Sequence, residues 1–290
     1  YYGGCEFVDD VETLAIERAK DAIPLAESTG DPLLLAQAYG AIGEAYQQWG
    51  QYGPDLRYIE AAVSFATEVN DPVQLGHFLQ LAVTHAAGVG EGNQTRILLE
   101  QARPIAEESN DPALEGQLLK AETLLYVFSR NYEEAITKAL EGVALARRHG
   151  LLQLEVVMLH NAGDGHLRLG HAREALYYFN ESLRKCRAGR YDRLTEMNEM
   201  FVGFIEATAL GEIKGRERIE QAVERATELG RIWNLQQGHE LLGRILLREG
   251  DRPRANEHLR KALDFANDSG VKFFIEEASR WLRKAEVSGY

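Results

Sequence analysis

Residues 159–179 read LHNAGDGHLRLGHAREALYYF, and this stretch contains the pattern that decides the fold. A helical run ends near Gly170, and a second run with apolar residues on one face follows it. Eighty positions later, residues 238–259 read GHELLGRILLREGDRPRANEHL and break at Gly250 in the same way. The two stretches predict a repeated pair of helices joined by a short turn.

The helical pattern breaks with a period of 40 residues along the chain, and glycine marks most of the breaks. A glycine that adopts positive φ ends a helix without a steric penalty. The breaks that separate one helix pair from the next lie at Gly30, Asn70, Asn110, Gly150, Arg190, Gly230 and Gly270. The breaks inside the pairs lie at Gly50, Gly90, Arg130, Gly170, Leu210 and Gly250. This period predicts an all-α solenoid of antiparallel helix hairpins.

Proline and small residues fit the same scheme. Asp31, Asp71 and Asp111 each precede a proline, which predicts a helix with an Asp cap and Pro in its first turn. Pro54 and Pro253 are also predicted at helix starts, whereas Pro24 and Pro104 lie inside second helices. Glycine recurs in the first helices at residues 43, 163, 203 and 243. In the second helices a small column runs through Ala26, Ala66, Ala106, Ala146, Cys186, Ala226 and Ala266.

These features resemble the tetratricopeptide repeat. In that family a large residue, an apolar residue, Gly or Ala, and an aromatic mark the first helix, and here they are Tyr39, Ile42, Gly43 and Tyr46. The second helix carries an Ala, a bulky residue and a small residue, here Ala175, Phe179 and Ser182. Val83 and Thr123 depart from the glycine position. A HEAT-type solenoid also has a period near 40, but the glycine register and the alanine columns favour the tetratricopeptide interpretation.

The resemblance implies a right-handed superhelix whose first helices line a concave groove. The 40-residue form is similar to the repeats of bacterial multidomain regulators, which include transcription activators and signalling ATPases or kinases, and of animal scaffolds that bind peptides. We predict one solenoid over residues 1–290. It has an unpaired second-type helix at 6–29, six repeats at 31–270 and a capping first-type helix at 271–286. The unpaired first element predicts that the chain is part of a longer protein.

Composition excludes several classes of protein. The chain has 290 residues, a net charge of -13 and only two cysteines, Cys5 and Cys186, so a disulfide framework is excluded and a cytoplasmic location is expected. The sequence has no signal-peptide layout and no apolar run long enough to span a bilayer. The acidic charge disfavours nucleic acid and anionic membranes as partners.

Few residues have the spacing that catalysis or metal binding requires. His160, His166 and His171 cluster near Asp164, but no third metal ligand of suitable spacing accompanies His160 and Asp164. The segment GVGEGNQT (88–95) is predicted to be a turn between helices rather than a phosphate loop. The basic run Arg184, Lys185, Arg187, Arg190 and Arg193 is interpreted as a solvated helix end, with an acidic-peptide or phosphate contact as the alternative. We therefore expect no catalytic residue, metal or cofactor.

The groove is the predicted binding site for a protein or peptide segment. Carried over by repeat register, the partner-binding residues are Gln37, Glu44, Leu81, Gln117, Leu124, Asn161, Asp164, Arg168, Met197, Phe201, Phe204, Arg244 and Arg248. If the groove is open, its apolar residues are exposed and dock a peptide; the alternative is that they belong to the core. Replacement of Phe201 and Phe204 by Glu distinguishes these two alternatives, because only exposed groove residues tolerate a charge without unfolding of the protein.

The sequence thus predicts a non-catalytic binding scaffold or sensor module in a larger bacterial signalling or transcription regulator. The alternative is a peptide-pheromone or small-molecule receptor whose ligand reshapes the superhelix. The identity of the partner is left open, as is self-association.

Overall fold

The computed structural model describes residues 6–286, with the side chains of residues 16–286 except those at 48, 49, 192 and 193. Within this range the chain forms α-helices and one π-turn, and no strand occurs there. In chain order the helices are α1 (Glu6–Thr29), α2 (Pro32–Trp49), α3 (Leu56–Val69), α4 (Pro72–Val89), α5 (Gly92–Ser109), α6 (Pro112–Phe128), α7 (Tyr132–His149), α8 (Leu152–Arg168), α9 (Ala172–Gly189), α10 (Asp192–Ile205), α11 (Ile213–Glu228), α12 (Ile232–Glu249), α13 (Arg252–Ser269) and α14 (Lys272–Glu286). We call the even-numbered helices A helices and the odd-numbered ones B helices.

The turns between helices confirm the 40-residue period. Each predicted break but one has its positive-φ residue at the expected position, and this includes four residues that are not glycine. Those four are Asn70, Asn110, Arg130 and Arg190, with φ between 51° and 62°. An arginine is uncommon in this region of backbone space, so the turn geometry is imposed by the repeat even where the sequence lacks glycine.

The exception lies in the fifth repeat. Here Gly211, and not Leu210, adopts positive φ, at 73°. A π-turn at Glu206–Leu210 follows α10, and the Glu212 N–H donates to the Glu206 carbonyl at 2.9 Å. Because a π-turn holds more residues than an α-turn, the end of the helix is delayed by one position. Ile219 is again in register with its equivalents, forty residues from Phe179 and Leu259.

The predicted helix starts are confirmed where Asp precedes Pro. The Asp31, Asp71 and Asp111 carboxylates accept hydrogen bonds from backbone N–H groups of the first turn at 2.8–3.1 Å. Pro253 lies in the first turn of α13, as expected, whereas Pro54 precedes α3 by two residues, so its prediction was wrong in detail. Pro24 and Pro104 lie inside α1 and α5, as predicted.

Small residues in the A helices meet bulky residues in the B helices. A Cβ placed on Gly43 would lie 2.6 Å from the Ile59 side chain, and one on Gly243 would lie 2.5 Å from Leu259. In the fifth repeat, a Cβ on Gly203 would lie 2.5 Å from the backbone oxygen of Gly215. The predicted small column of the B helices is buried throughout, including Cys186, while Cys5 lies outside the described residues. At these three glycines a larger side chain would therefore clash with the paired B helix.

The chain forms two compact units, unit 1 (Tyr1–Ser129) and unit 2 (Arg130–Tyr290). Within unit 1, α4 lies beside α2 and α6. Within unit 2, α10 lies beside α8 and α12, and α12 beside α14, so successive A helices lie side by side within each unit. The single solenoid over residues 1–290 stays a prediction. None of the described helices is long and apolar enough to cross a membrane.

Candidate functional site

The residues predicted to bind a partner all lie on A helices, and in unit 1 the polar ones are accessible. Gln37 is exposed on α2, and Glu44 and Gln117 are half-buried on α2 and α6. The Gln117 Oε1 atom is buried and has no hydrogen-bond partner in the described part of the chain. We call the side chains that the A helices of unit 1 present at these positions the unit-1 face.

Two residues outside the predicted set complete the charge pattern of the unit-1 face. The His77 Nε2 atom of α4 lies 3.9 Å from the Glu44 carboxylate of α2, with both side chains almost half exposed. Burial lowers the pKa of Lys120 on α6, and the Glu44 carboxylate acts in the opposite direction. Three successive A helices thus contribute Glu44, His77 and Lys120 to one polar surface.

The apolar residues predicted for the groove do not form an open floor. In unit 1, Leu81 is buried in a core cluster with Ile59 and Phe78, and only Leu124 remains half-buried. In unit 2, the predicted residues Met197, Phe201 and Phe204 are all buried in the central core cluster. The expectation of exposed apolar residues was therefore wrong for four positions, because their side chains pack between neighbouring helices.

Phe201 shows this packing most clearly. Its ring stacks on Phe179 of α9, with 5.0 Å between centroids and 16° between planes. The His160 ring of α8 meets its edge at 5.4 Å. A charged substitution at Phe201 would place a carboxylate in this core, so the predicted tolerance of Glu there does not hold.

The predicted polar residues of α8 form a buried ion pair. Asn161 and Asp164 are both buried, and the Arg168 Nε donates to the Asp164 Oδ2 at 2.8 Å. Burial acts to lower the pKa of Arg168, but the Asp164 carboxylate outweighs it and the net shift is upward. The Asp164 Oδ1 is buried without a hydrogen-bond partner in the described residues.

Helix α14 covers this ion pair. The Phe273 ring lies 4.8 Å from the Arg168 guanidinium carbon and 5.2 Å from that of Arg130. Glu277, which is buried on the same helix, forms ion pairs with Arg130 and Arg280. Because Arg130 lies at the start of unit 2 and Glu277 near its end, this ion pair links the two ends of the unit.

Helix α12 carries the second charged pair of unit 2. The Arg244 Nη1 lies 3.4 Å from the Glu240 Oε1, four residues earlier on the helix. Burial raises the pKa of Glu240 and lowers the pKa of Arg244. The Arg244 guanidinium carbon lies 4.5 Å from the Phe204 ring centroid and 4.8 Å from that of Trp281. Two aromatic rings of different helices therefore hold this guanidinium in place.

A cavity of about 520 Å³ opens beside Arg244. Three predicted residues line it, namely Phe204, Arg244 and Arg248. The other lining residues are Thr208 of the π-turn, Leu247 of α12, Arg252 of α13, and Trp281 and Lys284 of α14. We call it the basic pocket, because four of its eight lining side chains are cationic and none is acidic.

The sequence prediction missed the side chains of α14, although the repeat register contains the signal for them. Glu277, Trp281 and Lys284 lie whole multiples of 40 residues after the predicted residues Gln117, Phe201 and Phe204, so they share their positions in the repeat. Glu277 belongs to the ion pairs described above, and the other two line the basic pocket. The predicted partner-binding residues end on α12 because residues 271–286 were predicted to form a cap.

The histidines of α8 contact side chains other than Asp164. The His160 Nδ1 lies 2.9 Å from the Asn198 Oδ1, and the His166 ring stacks on Tyr178 at 5.3 Å. Asp164 is engaged by Arg168. Among the described residues, no group of three or more His, Cys, Asp or Glu side chains is arranged to hold a metal ion.

Two further segments have the structure that the sequence predicts. The segment 88–95 joins α4 to α5 as a turn with Gly90 at positive φ. In the basic run, Arg184 pairs with Glu181, Lys185 with Glu155 and Arg187 with Glu199. The side chain of Arg193 lies outside the described residues. These ion pairs agree with a solvated helix end.

Comparison with solved structures shows the same fold. The apo form of RapI superposes with a TM-score of 0.69 at 13% identity, over 91% of this chain and 94% of that one. A Rap protein complexed with Competence and Sporulation Factor gives 0.68 at 15% identity, over 92% and 80%. A signal-transduction ATPase with a tetratricopeptide-repeat sensor, from Pyrococcus horikoshii, gives 0.57 at 16%, over 98% of this chain and 47% of that protein. The chain has a tetratricopeptide-like helical-repeat fold.

Sequence comparison adds only short matches. No family model matches the chain. Serine hydroxymethyltransferase from a Cyanothece species is 47% identical over 60 residues, which is 20% of this chain and 14% of the enzyme. A second serine hydroxymethyltransferase, from Burkholderia pseudomallei, is 52% identical over 42 residues, or 10% of its length. The chain thus spans about one seventh or less of the curated relatives it matches.

Proposed function

We propose that this chain is a non-catalytic scaffold or sensor module that binds a protein or peptide segment along the unit-1 face. The observation that carries the proposal is the row of polar side chains on three successive A helices. Gln37, His77 and Gln117 occupy the same register position on α2, α4 and α6. Amide groups both donate and accept hydrogen bonds, so they suit a peptide backbone.

The spacing of the row fits an extended ligand. Packed helices lie about 8–10 Å apart, and an extended peptide advances about 3.3 Å per residue. One side chain per A helix therefore meets about every third residue of the ligand. The buried Gln117 Oε1 lacks a donor, and a peptide N–H would supply one.

Structural relatives support the broader role. One of the similar proteins is a Rap protein complexed with Competence and Sporulation Factor, and another carries a tetratricopeptide-repeat sensor in a signal-transduction ATPase. These likenesses support the proposal that the chain is part of a larger cytoplasmic bacterial regulator of signalling or transcription. Its ligand is a protein or peptide segment, not nucleic acid or membrane, because unit 1 carries 20 acidic and 6 basic residues.

Selection from a displayed library of 12-residue peptides tests this proposal with the whole chain as bait. We expect the selected peptides to lose at least about tenfold in affinity when Gln117→Ala and Lys120→Ala are combined. Glu115→Gln, an exposed change on the same helix, is the matched control and leaves affinity unchanged. Selected peptides that bind the double variant as well as the parent would refute binding along the unit-1 face.

A second candidate role is a receptor whose ligand reshapes the helix array. The observation that favours it is α14, which lies against Arg168 and Arg130 across unit 2 and also forms part of the basic pocket. A ligand in the pocket would then act on α14. Small-angle X-ray scattering tests it: we expect the radius of gyration to change with bound ligand, and an unchanged profile at saturation argues against this role.

A further inference from the structure

The basic pocket has an unbalanced positive charge. Arg244, Arg248, Arg252 and Lys284 line it, and no acidic side chain does. Glu240 pairs with Arg244 at 3.4 Å, whereas two other nearby carboxylates are engaged outside the pocket: Glu249 pairs with Arg216 at 3.0 Å and Glu286 with Arg260 at 3.2 Å. Within the described residues, Arg248 and Lys284 have no carboxylate inside 4 Å, so neither cation is neutralised by the protein.

The aromatic residues of the pocket position its cations. The Lys284 Nζ lies 4.0 Å from the Trp281 ring centroid, and Arg244 lies between Phe204 and Trp281. Cation–π contacts of this kind restrict a charged side chain without neutralising it. Because these rings already contact cations, the pocket is suited to a compact anion rather than a flat apolar group.

Two donors of the lining side chains lack acceptors. The Arg244 Nε and the Trp281 Nε1 are both buried without a hydrogen-bond partner in the described part of the chain. An unsatisfied buried donor is unfavourable, and an anion with several oxygens would relieve it. The pocket also includes Arg252, the first residue of α13, where the helix dipole adds positive potential.

We propose that the basic pocket binds a phosphate monoester, carried by a small molecule or by a phosphorylated side chain. Such a group has a charge of about -1.5 to -2 at pH 7 and three acceptor oxygens. It therefore matches Arg248, Lys284 and the two unsatisfied donors better than a carboxylate, which has one charge and two oxygens. The cavity volume of about 520 Å³ leaves room for the group that carries the phosphate. This proposal does not depend on peptide binding by unit 1.

Isothermal titration of the whole chain tests it with four probes at constant ionic strength: inorganic phosphate, a nucleoside monophosphate, a phosphoserine peptide and acetate. We expect at least one phosphate monoester to bind and acetate to bind at least about tenfold more weakly. Affinity should fall between pH 7 and pH 5, because the monoester loses its second charge near pH 6. Preference for the nucleotide or for the peptide identifies the source of the phosphate.

Arg248→Ala combined with Lys284→Ala should lower the affinity at least about tenfold. Arg184→Ala with Lys261→Ala removes the same charge from exposed positions on B helices and should leave binding intact. Arg248→Gln alone, at an exposed residue, provides a second variant that preserves the fold. The proposal is overturned if acetate binds as tightly as phosphate, if no phosphate monoester binds, or if the control variant weakens binding equally.

Discussion

The A helices of the two units begin in different ways. In unit 1, α2, α4 and α6 each start with an Asp cap whose side chain bonds to the first turn, followed by proline. In unit 2, α8, α10 and α12 start after Leu151, Tyr191 and Arg231, and none of these side chains caps the helix. The same hairpin is therefore specified locally in unit 1 and by packing in unit 2.

Charge is distributed differently as well. Unit 1 has 20 acidic and 6 basic residues, whereas unit 2 has 25 and 26. Unit 2 uses this balance for ion pairs between helices, such as Arg231 of the α11–α12 turn with Glu196 of α10 at 2.7 Å and Arg225 of α11 with Glu199 of α10 at 2.5 Å. Helix α14 also contacts charged residues of α8 and α12, while the unit-1 face retains accessible polar groups. The difference indicates that one repeat pattern can form either an accessible polar surface or a charged interior.

The strongest test of this contrast compares predicted groove residues in the two units. Phe201→Glu should destabilise unit 2 by about 4 kcal/mol or more, because it removes a stacked ring and buries a charge. Leu124→Glu, at a half-buried position of unit 1, should reduce stability by less than about 1.5 kcal/mol. Urea unfolding followed by circular dichroism measures both, and equal losses would contradict the assignment of Phe201 to the core.

Acid should weaken unit 2 through a pair of histidines. The His239 and His258 Nδ1 atoms lie 3.0 Å apart, and burial together with His258 lowers the pKa of His239 to about 4. The pKa of His239 is lower in the folded state than the unfolded value of 6.5. The folded state therefore has its full stability above pH 6.5 and loses stability as pH falls from 6.5 to about 4. The expected loss is on the order of 3 kcal/mol.

Thermal unfolding across this pH window measures that loss, and His239→Gln should flatten the profile. His149→Gln is the matched control, since His149 is exposed at the end of α7. An identical pH profile for the parent and His239→Gln would show that the pair does not govern acid sensitivity.

The charged closure of unit 2 is tested at α14. Glu277→Gln keeps the shape of the side chain but leaves Arg130 and Arg280 without their buried carboxylate, so we expect a loss of about 2 kcal/mol. The two arginines are partly exposed, which keeps the loss below that of a fully buried pair. Hydrogen exchange should accelerate in α14. Glu276 is the exposed neighbour, 3.5 Å from Arg130, and Glu276→Gln should change hydrogen exchange little. A larger effect of Glu276→Gln than of Glu277→Gln would contradict the assignment of this contact to Glu277.

The smallest expected effect concerns the helix caps. Asp71 accepts hydrogen bonds from Val73 and Gln74, so Asp71→Ala should reduce stability by about 1 kcal/mol, while Asp71→Asn retains the cap. Conversely, Leu151→Asp should add a cap to α8 and increase stability by about 0.5–1 kcal/mol. Differential scanning calorimetry can detect both. A gain at Leu151 without a loss at Asp71 would reverse the proposed contrast between the units.

Much of the fold was predictable, because helix ends depend on local chemistry. Asp before Pro and Gly at most of the breaks mark the ends of helices, and the alanine columns mark their buried sides. The candidate site was less predictable, since the exposure of an A-helix residue depends on the helix next to it. Met197, Phe201 and Phe204 have groove register but are buried by the neighbouring helices, whereas Arg248 remained exposed.

The sequence alone determined the 40-residue hairpin, its turns and the pairing of glycine with bulky residues, because each depends on residues within one repeat. Only the tertiary structure decided that α14 covers the charged residues of unit 2, that Gly211 replaces Leu210 at the turn, and that four cations share one cavity. The first and third of these features depend on side chains that are far apart in the sequence, up to 147 residues in the contact of Arg130 with Glu277, whereas the second depends on the π-turn at Glu206–Leu210. The spacing of these residues along the chain does not predict that they are close in space, unless the repeat register is extended to the last helix.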